Sequence, residues 1–212
     1  DAKLELLRDA ASVFDANNTA GEYALAVYRR ILLVDPGAPE HARLLEILRQ
    51  RADVRGLVHS ITERLNWLES EAQDVARDQA MVPLLLERAT VLHGLGDQPA
   101  AMQDLDALLD RSASHIEALR FRADLALNAG EAELAVSLWK RCLQAETRPQ
   151  RRSDIELQLS KVLAETNDLA GAIENLEHVV DNKPDDLQLR ERLLGLCLRA
   201  NDWVRAAREL KM

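Results

Sequence analysis

The chain has 212 residues, of which 27 are basic and 36 acidic, and its net charge is −9. Proteins that hold a phosphate backbone present a basic face, and the arginines here are scattered among carboxylates, so the charge argues against a nucleic-acid ligand. Apolar residues make up 47% of the chain, but no apolar run approaches the ~20 residues that cross a bilayer. Helix-forming residues dominate and no alternating strand pattern is found, which predicts an all-α fold.

Apolar periodicity predicts about twelve helices joined by short turns. In chain order the predicted helices span residues 1–16, 20–34, 39–51, 54–69, 77–94, 98–110, 115–129, 132–145, 151–166, 169–181, 186–200 and 203–212. Helices joined by turns this short pack as antiparallel neighbours. The pattern therefore indicates a series of helix pairs.

Four turns in the second half of the chain share one residue pattern. Each has Gly or Asn where a helix ends in a left-handed residue, followed by an acidic residue suited to start the next helix. They are Leu95-Gly96-Asp97, Ala129-Gly130-Glu131, Thr166-Asn167-Asp168 and Ala200-Asn201-Asp202. Their central residues are 34, 37 and 34 positions apart. A helix–turn–helix unit thus recurs about every 34 residues.

Small and large side chains recur at fixed distances from these turns. Five residues beyond the central residue lie Ala101, Ala135, Ala172 and Ala206. Four residues further lie Leu105, Trp139, Leu176 and Leu210, and the helix before each turn presents Leu92, Ala126, Leu163 and Cys197. This period and spacing resemble the tetratricopeptide repeat family, although Glu156, Arg190 and Leu194 depart from its residue pattern.

The resemblance implies an α-solenoid of antiparallel helix pairs that forms a right-handed superhelix. We expect two degenerate repeats in residues 1–65 and an irregular, extended junction in residues 66–80. Residues 81–212 hold three and a half to four repeats. Because Trp203, Ala206 and Leu210 call for a neighbouring helix, we expect the array to be cut at its C-terminus.

In this family the first helix of each pair lines the concave wall, and the resemblance implies the same here. Helical spacing places eight partner-binding candidates on that wall: Arg120, Asp124, Asn128, Leu157, Lys161, Glu165, Glu191 and Arg199. We expect an extended peptide or a folded partner domain to bind there. Arg120 and Lys161 would pair with acidic residues of the partner, or else with Asp124 and Glu165 in solvated ion pairs. A clamp for a C-terminal carboxylate is disfavoured, since Gly195 and Asp124 flank Lys161 without an Asn–Lys pair.

Trp67 lies in the over-long region between repeats, where the repeat pattern requires no large residue. It either packs the irregular junction or forms a secondary contact with a partner, since Trp is favoured at binding hot spots. The other two tryptophans, Trp139 and Trp203, fall at large-residue positions and are predicted to be core.

The sequence predicts no enzyme, cofactor or metal site. The histidines His41, His59, His93, His115 and His178 form no metal-binding pair, and no Cys-x-x-Cys is present. Cys142 and Cys197 are predicted to be buried, unpaired thiols.

Two functional hypotheses follow. The first is a non-catalytic protein-interaction scaffold, a segment of a larger bacterial tetratricopeptide-repeat protein. The alternative is the periplasmic repeat region of an envelope machine such as exopolysaccharide export, which would organise partner proteins or bind the polysaccharide itself. A sensor for a small ligand would need an apolar inner pocket, and the predicted inner face offers little apolar surface. The compartment stays open between bacterial cytoplasm and periplasm.

Overall fold

A computed structural model describes residues 2–16, 21–71 and 75–210. Within these ranges the chain forms twelve α-helices and no strand, which confirms the predicted fold class. The helices are α1 (Ala2–Ala16), α2 (Glu22–Val34), α3 (His41–Gln50), α4 (Val54–Ser70), α5 (Val75–Gly94), α6 (Gln98–Arg111), α7 (Ile116–Asn128), α8 (Ala132–Ala145), α9 (Pro149–Glu165), α10 (Leu169–Asn182), α11 (Leu187–Arg199) and α12 (Trp203–Glu209). Positions 1, 20, 211 and 212 of the predicted helices lie outside the described residues. None of the described helices is long and apolar enough to cross a membrane.

The predicted helix-ending turns have the expected backbone. Gly96 and Gly130 adopt φ of 84° and 80°, and Asn167 and Asn201 adopt 63° and 55°. At each turn the residue after the left-handed one donates its N–H to a carbonyl five residues earlier, for example Asp168 to Leu163 at 2.8 Å. This is the Schellman arrangement, which satisfies carbonyls that the ending helix leaves free.

A fifth turn of the same geometry joins α3 to α4. Ala52 has φ of 52°, and the Asp53 N–H donates to the Leu48 carbonyl at 3.0 Å. The sequence did not indicate this left-handed residue, because Ala, unlike Gly and Asn, is not a left-handed signal. The side chain of Asp53 then accepts from the Gly56 N–H at 2.9 Å and caps α4. Asp97, Asp168 and Asp202 cap α6, α10 and α12 in the same way.

The chain divides into two compact units, residues 1–111 and 112–212. Unit 1 contains α1 to α6, each packed on the next. Its core includes Ile31, Leu48, Ile61 and Leu105, all fully buried. The extra residues between Ala52 and Gly96 are taken up by long helices, since α4 has 17 residues and α5 has 20.

Residues 66–80, where an irregular junction is predicted, contain the end of α4 at Ser70 and the start of α5 at Val75. Residues 72–74 within this segment lie outside the described ranges. α4 and α5 pack against each other across it.

Unit 2 contains three helix pairs, α7–α8, α9–α10 and α11–α12, in which each pair also packs on the next. The recurring small residues of the second helices in unit 2, Ala135, Ala172 and Ala206, are buried. Ala123 and Ser160 on the first helices are buried as well. Trp139 is core as predicted, with 3% of its surface exposed. The prediction for Trp203 is wrong, because 64% of it is exposed. It lies at the start of α12, and no element among the described residues covers that face.

Candidate functional site

The eight predicted partner-binding residues all lie on first helices of unit 2, and we call this surface the first-helix face. Arg120, Asp124 and Asn128 are on α7, Leu157, Lys161 and Glu165 on α9, and Glu191 and Arg199 on α11. Leu157 and Lys161 are half-buried and the other six are exposed. Their opposite sides carry the core, since Leu119, Leu159 and Leu193 on the same helices are buried. The helical spacing therefore separates a packed side from an accessible one.

Within the described ranges, Arg120 and Lys161 on this face are not held in ion pairs. Among the described residues, no carboxylate oxygen lies within 4.0 Å of the Arg120 guanidinium or the Lys161 ammonium group. Arg120 and Lys161 therefore do not form ion pairs with Asp124 or Glu165 in this structure. Both side chains are available to an acidic partner.

Asp124 occupies a partly enclosed position although its side chain reaches solvent. Burial raises the pKa of its carboxyl group, and Arg120, one turn away on α7, lowers it. A carboxylate that is exposed yet poorly hydrated is typical of a recess between helices.

At one end of the face, α9 and α11 adjoin. The Arg199 Nη2 donates to the Ala164 carbonyl at 3.3 Å, near the C-terminus of α9. This bond satisfies a helix-end carbonyl and holds two first helices side by side. Arg199 thus has a structural contact as well as an exposed side chain.

Gly195 leaves an open position on the exposed side of α11. A Cβ built at this glycine meets no atom within 4 Å. Its packing therefore does not require glycine, although glycine weakens a helix interior. In the repeat register Gly195 corresponds to Asp124 and Lys161, so the middle row of the face lacks one side chain.

Trp67 lies in a second feature, a pocket of about 560 Å³ in unit 1 that we call the Trp67 pocket. Helices α2 and α4 supply most of its lining, together with Pro36 and two residues of α3. Trp67 itself is half-buried, and the Arg64 guanidinium carbon lies 4.3 Å from the centre of its ring. Arg64 and Gly37 were not singled out from the sequence. The available signals were the i, i+3 spacing of Arg64 and Trp67 and a glycine directly after Pro36.

Two histidines, His41 and His115, and both cysteines are buried or form hydrogen bonds within the fold. His41 is buried, its Nε2 lies 3.0 Å from the Ser60 carbonyl oxygen, and burial lowers its pKa. His115 caps α7 by accepting from the Ala118 N–H at 3.2 Å. Cys142 and Cys197 are buried free thiols, as predicted, and burial raises the pKa of Cys142 to about 11. Within the described ranges, no cluster of three His, Cys, Asp or Glu side chains has metal-binding geometry.

No protein-family model matches the sequence, and no curated protein is similar to it. Solved structures do match. A crystal structure of MamA protein has a TM-score of 0.60 at 16% identity, over 81% of this chain and 86% of that one. A tetratricopeptide repeat protein from Parabacteroides merdae ATCC 43184 has a TM-score of 0.59 at 19% identity, over 100% of this chain and 78% of that one.

The chain has the tetratricopeptide-repeat fold. YrrB, described as a tetratricopeptide-repeat protein with an unusual peptide-binding site, is similar as well. Its TM-score is 0.56 at 18% identity, over 91% of this chain and 88% of that one. At these identities the likeness is one of fold, and the binding properties of the tetratricopeptide repeats in this chain must be argued from its own residues.

Proposed function

We propose that this protein is a non-catalytic scaffold whose first-helix face binds a peptide or a folded domain of a partner protein. The observation that carries the proposal is that Arg120 and Lys161, on an accessible helix surface, have no ion-pair partner among the described residues. Charged groups that are not paired within the chain are available to a partner and set its orientation and specificity. A solved protein of the same fold, YrrB, is described as having a peptide-binding site, which supports this class of function.

The chemistry of the face favours an occupant with both charge and polar groups. Arg120 and Lys161 suit acidic side chains, while Asn128 supplies amide donors and an acceptor. The open position at Gly195 gives room for a partner side chain on α11. Leu157 adds one apolar contact, so a partner would be held chiefly by polar contacts with a small apolar centre.

The test is affinity capture from an extract of the source organism, followed by binding measurements with each purified captured protein. We expect Arg120→Glu/Lys161→Glu to weaken binding of the genuine partner about tenfold or more, because two attractive contacts become repulsive. The matched control is Lys140→Glu/Arg208→Glu, which makes the same charge change on exposed positions of second helices α8 and α12. This control is expected to bind as the unmodified chain does.

A steric variant separates the face from a general charge effect. Gly195→Leu keeps the net charge and fills the open position on α11, so it should also weaken binding of the partner. If both charge-reversed proteins capture and bind the same protein equally well, the first-helix face is not the site. If the bound material is a polysaccharide, the envelope alternative replaces the protein scaffold.

A further inference from the structure

The Trp67 pocket is formed by residues of unit 1, and its walls are of mixed character. Its apolar wall consists of Leu32, Leu33, Pro36, Leu44 and Trp67. Leu33 stands at the opening with 80% of its surface exposed. Pockets of several hundred Å³ that are mainly apolar with a few polar groups are the usual shape of ligand sites.

Trp67 is a fixed wall because two neighbours hold its ring. A Cβ at Gly37 would lie 2.7 Å from the ring atom Cζ2, so the ring rests directly against the backbone of the turn before α3. The Arg64 guanidinium stacks on the ring and its Nη1 donates to the Pro36 carbonyl at 2.7 Å. A ring fixed in advance loses little conformational entropy when a partner side chain packs on it.

The pocket also has an unbalanced positive charge in an acidic chain. No carboxylate oxygen of the described residues lies within 4.0 Å of Arg64, and the nearest one to Arg29 belongs to Asp53, at 4.0 Å. The one acidic lining residue, Glu63, faces His59, whose Nε2 is 3.4 Å from its carboxylate. Asp35, which lies nearby, is paired with Arg8 at 3.5 Å.

Burial lowers the pKa of Arg64, so its charge is poorly solvated where it lies. A guanidinium that is stacked on an aromatic ring and lacks an anion gains a charge-assisted hydrogen bond when a carboxylate arrives. The chemistry thus calls for an apolar group and an anion close together.

We propose that the Trp67 pocket binds a partner-protein segment in which a large apolar side chain neighbours a carboxylate. The apolar side chain packs between Leu33 and the Trp67 ring, and the carboxylate pairs with Arg64, with Arg29 at the rim. The proposal rests on the proposed function only in taking a protein segment as the occupant. Its residues belong to unit 1 and those of the first-helix face to unit 2, so either proposal can fail without the other.

The test uses two blocked dipeptides that differ by one charge, N-acetyl-Phe-Glu-amide and N-acetyl-Phe-Gln-amide, with the full 212-residue chain. Binding is followed through the indole N–H signal of Trp67, assigned by its loss in Trp67→Phe. We expect a saturable shift with both peptides and roughly fivefold tighter binding of the Glu peptide, from one partly exposed charge-assisted contact.

Three variants make the result specific. Arg64→Gln is expected to remove the preference for the Glu peptide, and Arg29→Gln to reduce it. Arg30→Gln, an exposed arginine of α2 outside the pocket lining, is the control and should retain it. Gly37→Ala places a methyl group where the Trp67 ring lies, so the ring must move. This variant should therefore shift the Trp67 indole signal without ligand and weaken binding of both peptides.

Each contrary result overturns a defined part. If neither peptide gives a saturable shift up to about 10 mM, a concentration at which even weak contacts register, the pocket is not a peptide site. If the two bind equally, the carboxylate contact is wrong. If 3-phenylpropionate, which lacks peptide groups, binds as tightly as the Glu peptide, the pocket takes a small anion and not a protein segment. Loss of capture with the charge-reversed first-helix face would leave all of these outcomes unchanged.

Discussion

Two residues, Ala52 and Gly195, have backbone conformations that their residue types do not favour. Ala52 adopts φ of 52° at the turn between α3 and α4, a region in which a Cβ crowds the following carbonyl. Gly195 lies inside α11, where glycine loses more conformational entropy than alanine and gains no packing in return. Glycine is therefore the better residue at position 52 and alanine the better residue at position 195.

We expect Ala52→Gly to raise the free energy of unfolding by roughly 0.5 kcal/mol, since relief of the left-handed strain exceeds the added entropy of the unfolded chain. Gly195→Ala should raise it by about 1 kcal/mol, because the new methyl group meets open space. Urea unfolding followed by circular dichroism measures both. Gly130→Ala is the control and should destabilise the chain, because Gly130 has φ of 80°. Destabilisation by Gly195→Ala would mean that the space beside α11 is filled.

Three helices of unit 1 meet at an ion pair between the half-buried Arg88 and the buried Asp104. Arg88 on α5 forms two hydrogen bonds to Asp104 on α6, at 2.8 and 2.6 Å, and a third to Thr62 on α4 at 2.9 Å. Asp104 is 4% exposed. Such a bidentate pair is geometrically specific, and removing one partner leaves the other charge buried without compensation.

Asp104→Ala is expected to lower the free energy of unfolding by about 2 kcal/mol, because the half-buried Arg88 charge then loses both hydrogen bonds to its carboxylate partner. Amide hydrogen exchange should rise in α5 and α6, while α9 and α10 of unit 2 keep their protection. Asp110→Ala, at an exposed position of the same helix, should change stability by less than about 0.5 kcal/mol. Equal effects of the two substitutions would show that the ion pair contributes little.

At the scale of the whole chain, apolar surface and net charge act against each other. Trp203, Val204 and Leu210 on and after α12 are 64%, 83% and 72% exposed. Exposed apolar patches promote association, whereas the net charge of −9 keeps copies apart. Salt screens the repulsion and leaves the apolar attraction, so the balance depends on ionic strength.

We therefore expect the 212-residue chain to associate as its concentration and the salt concentration rise. Sedimentation velocity should show an increasing weight-average coefficient for the unmodified chain and a constant one for Trp203→Gln/Val204→Lys. Val75→Lys replaces an apolar residue that is 72% exposed elsewhere and should leave the association intact. A coefficient independent of concentration in the unmodified chain would contradict the prediction.

Local features of the fold follow from the sequence because short-range sterics govern them. Gly96, Gly130, Asn167 and Asn201 end helices in the left-handed region, since these residue types pay the least for positive φ. At three of these turns the Asp that follows accepts a backbone N–H at the next helix start, because carboxylates suit N-caps. At the fourth, Glu131 forms no side-chain hydrogen bond to the start of α8. The period of these turns and the small and large residues around them resemble the tetratricopeptide repeat family, and the fold that this resemblance implies is confirmed. The predicted repeat boundaries and the partner-binding role of the first-helix face stay predictions.

Tertiary structure alone decided what depends on contacts between distant residues. The repeat pattern predicted that Trp203 is buried, yet 64% of it is exposed, because burial depends on which other elements cover a side chain. The pairing of Arg88 with Asp104 depends on how neighbouring helices turn and cross. The same holds for Arg64, which has no carboxylate beside it among the described residues. By its sequence context Gly37 is an ordinary turn residue, and only the tertiary structure places the Trp67 ring against it. Period and propensity determine which segments are helical, whereas the packing of those helices determines which side chains meet.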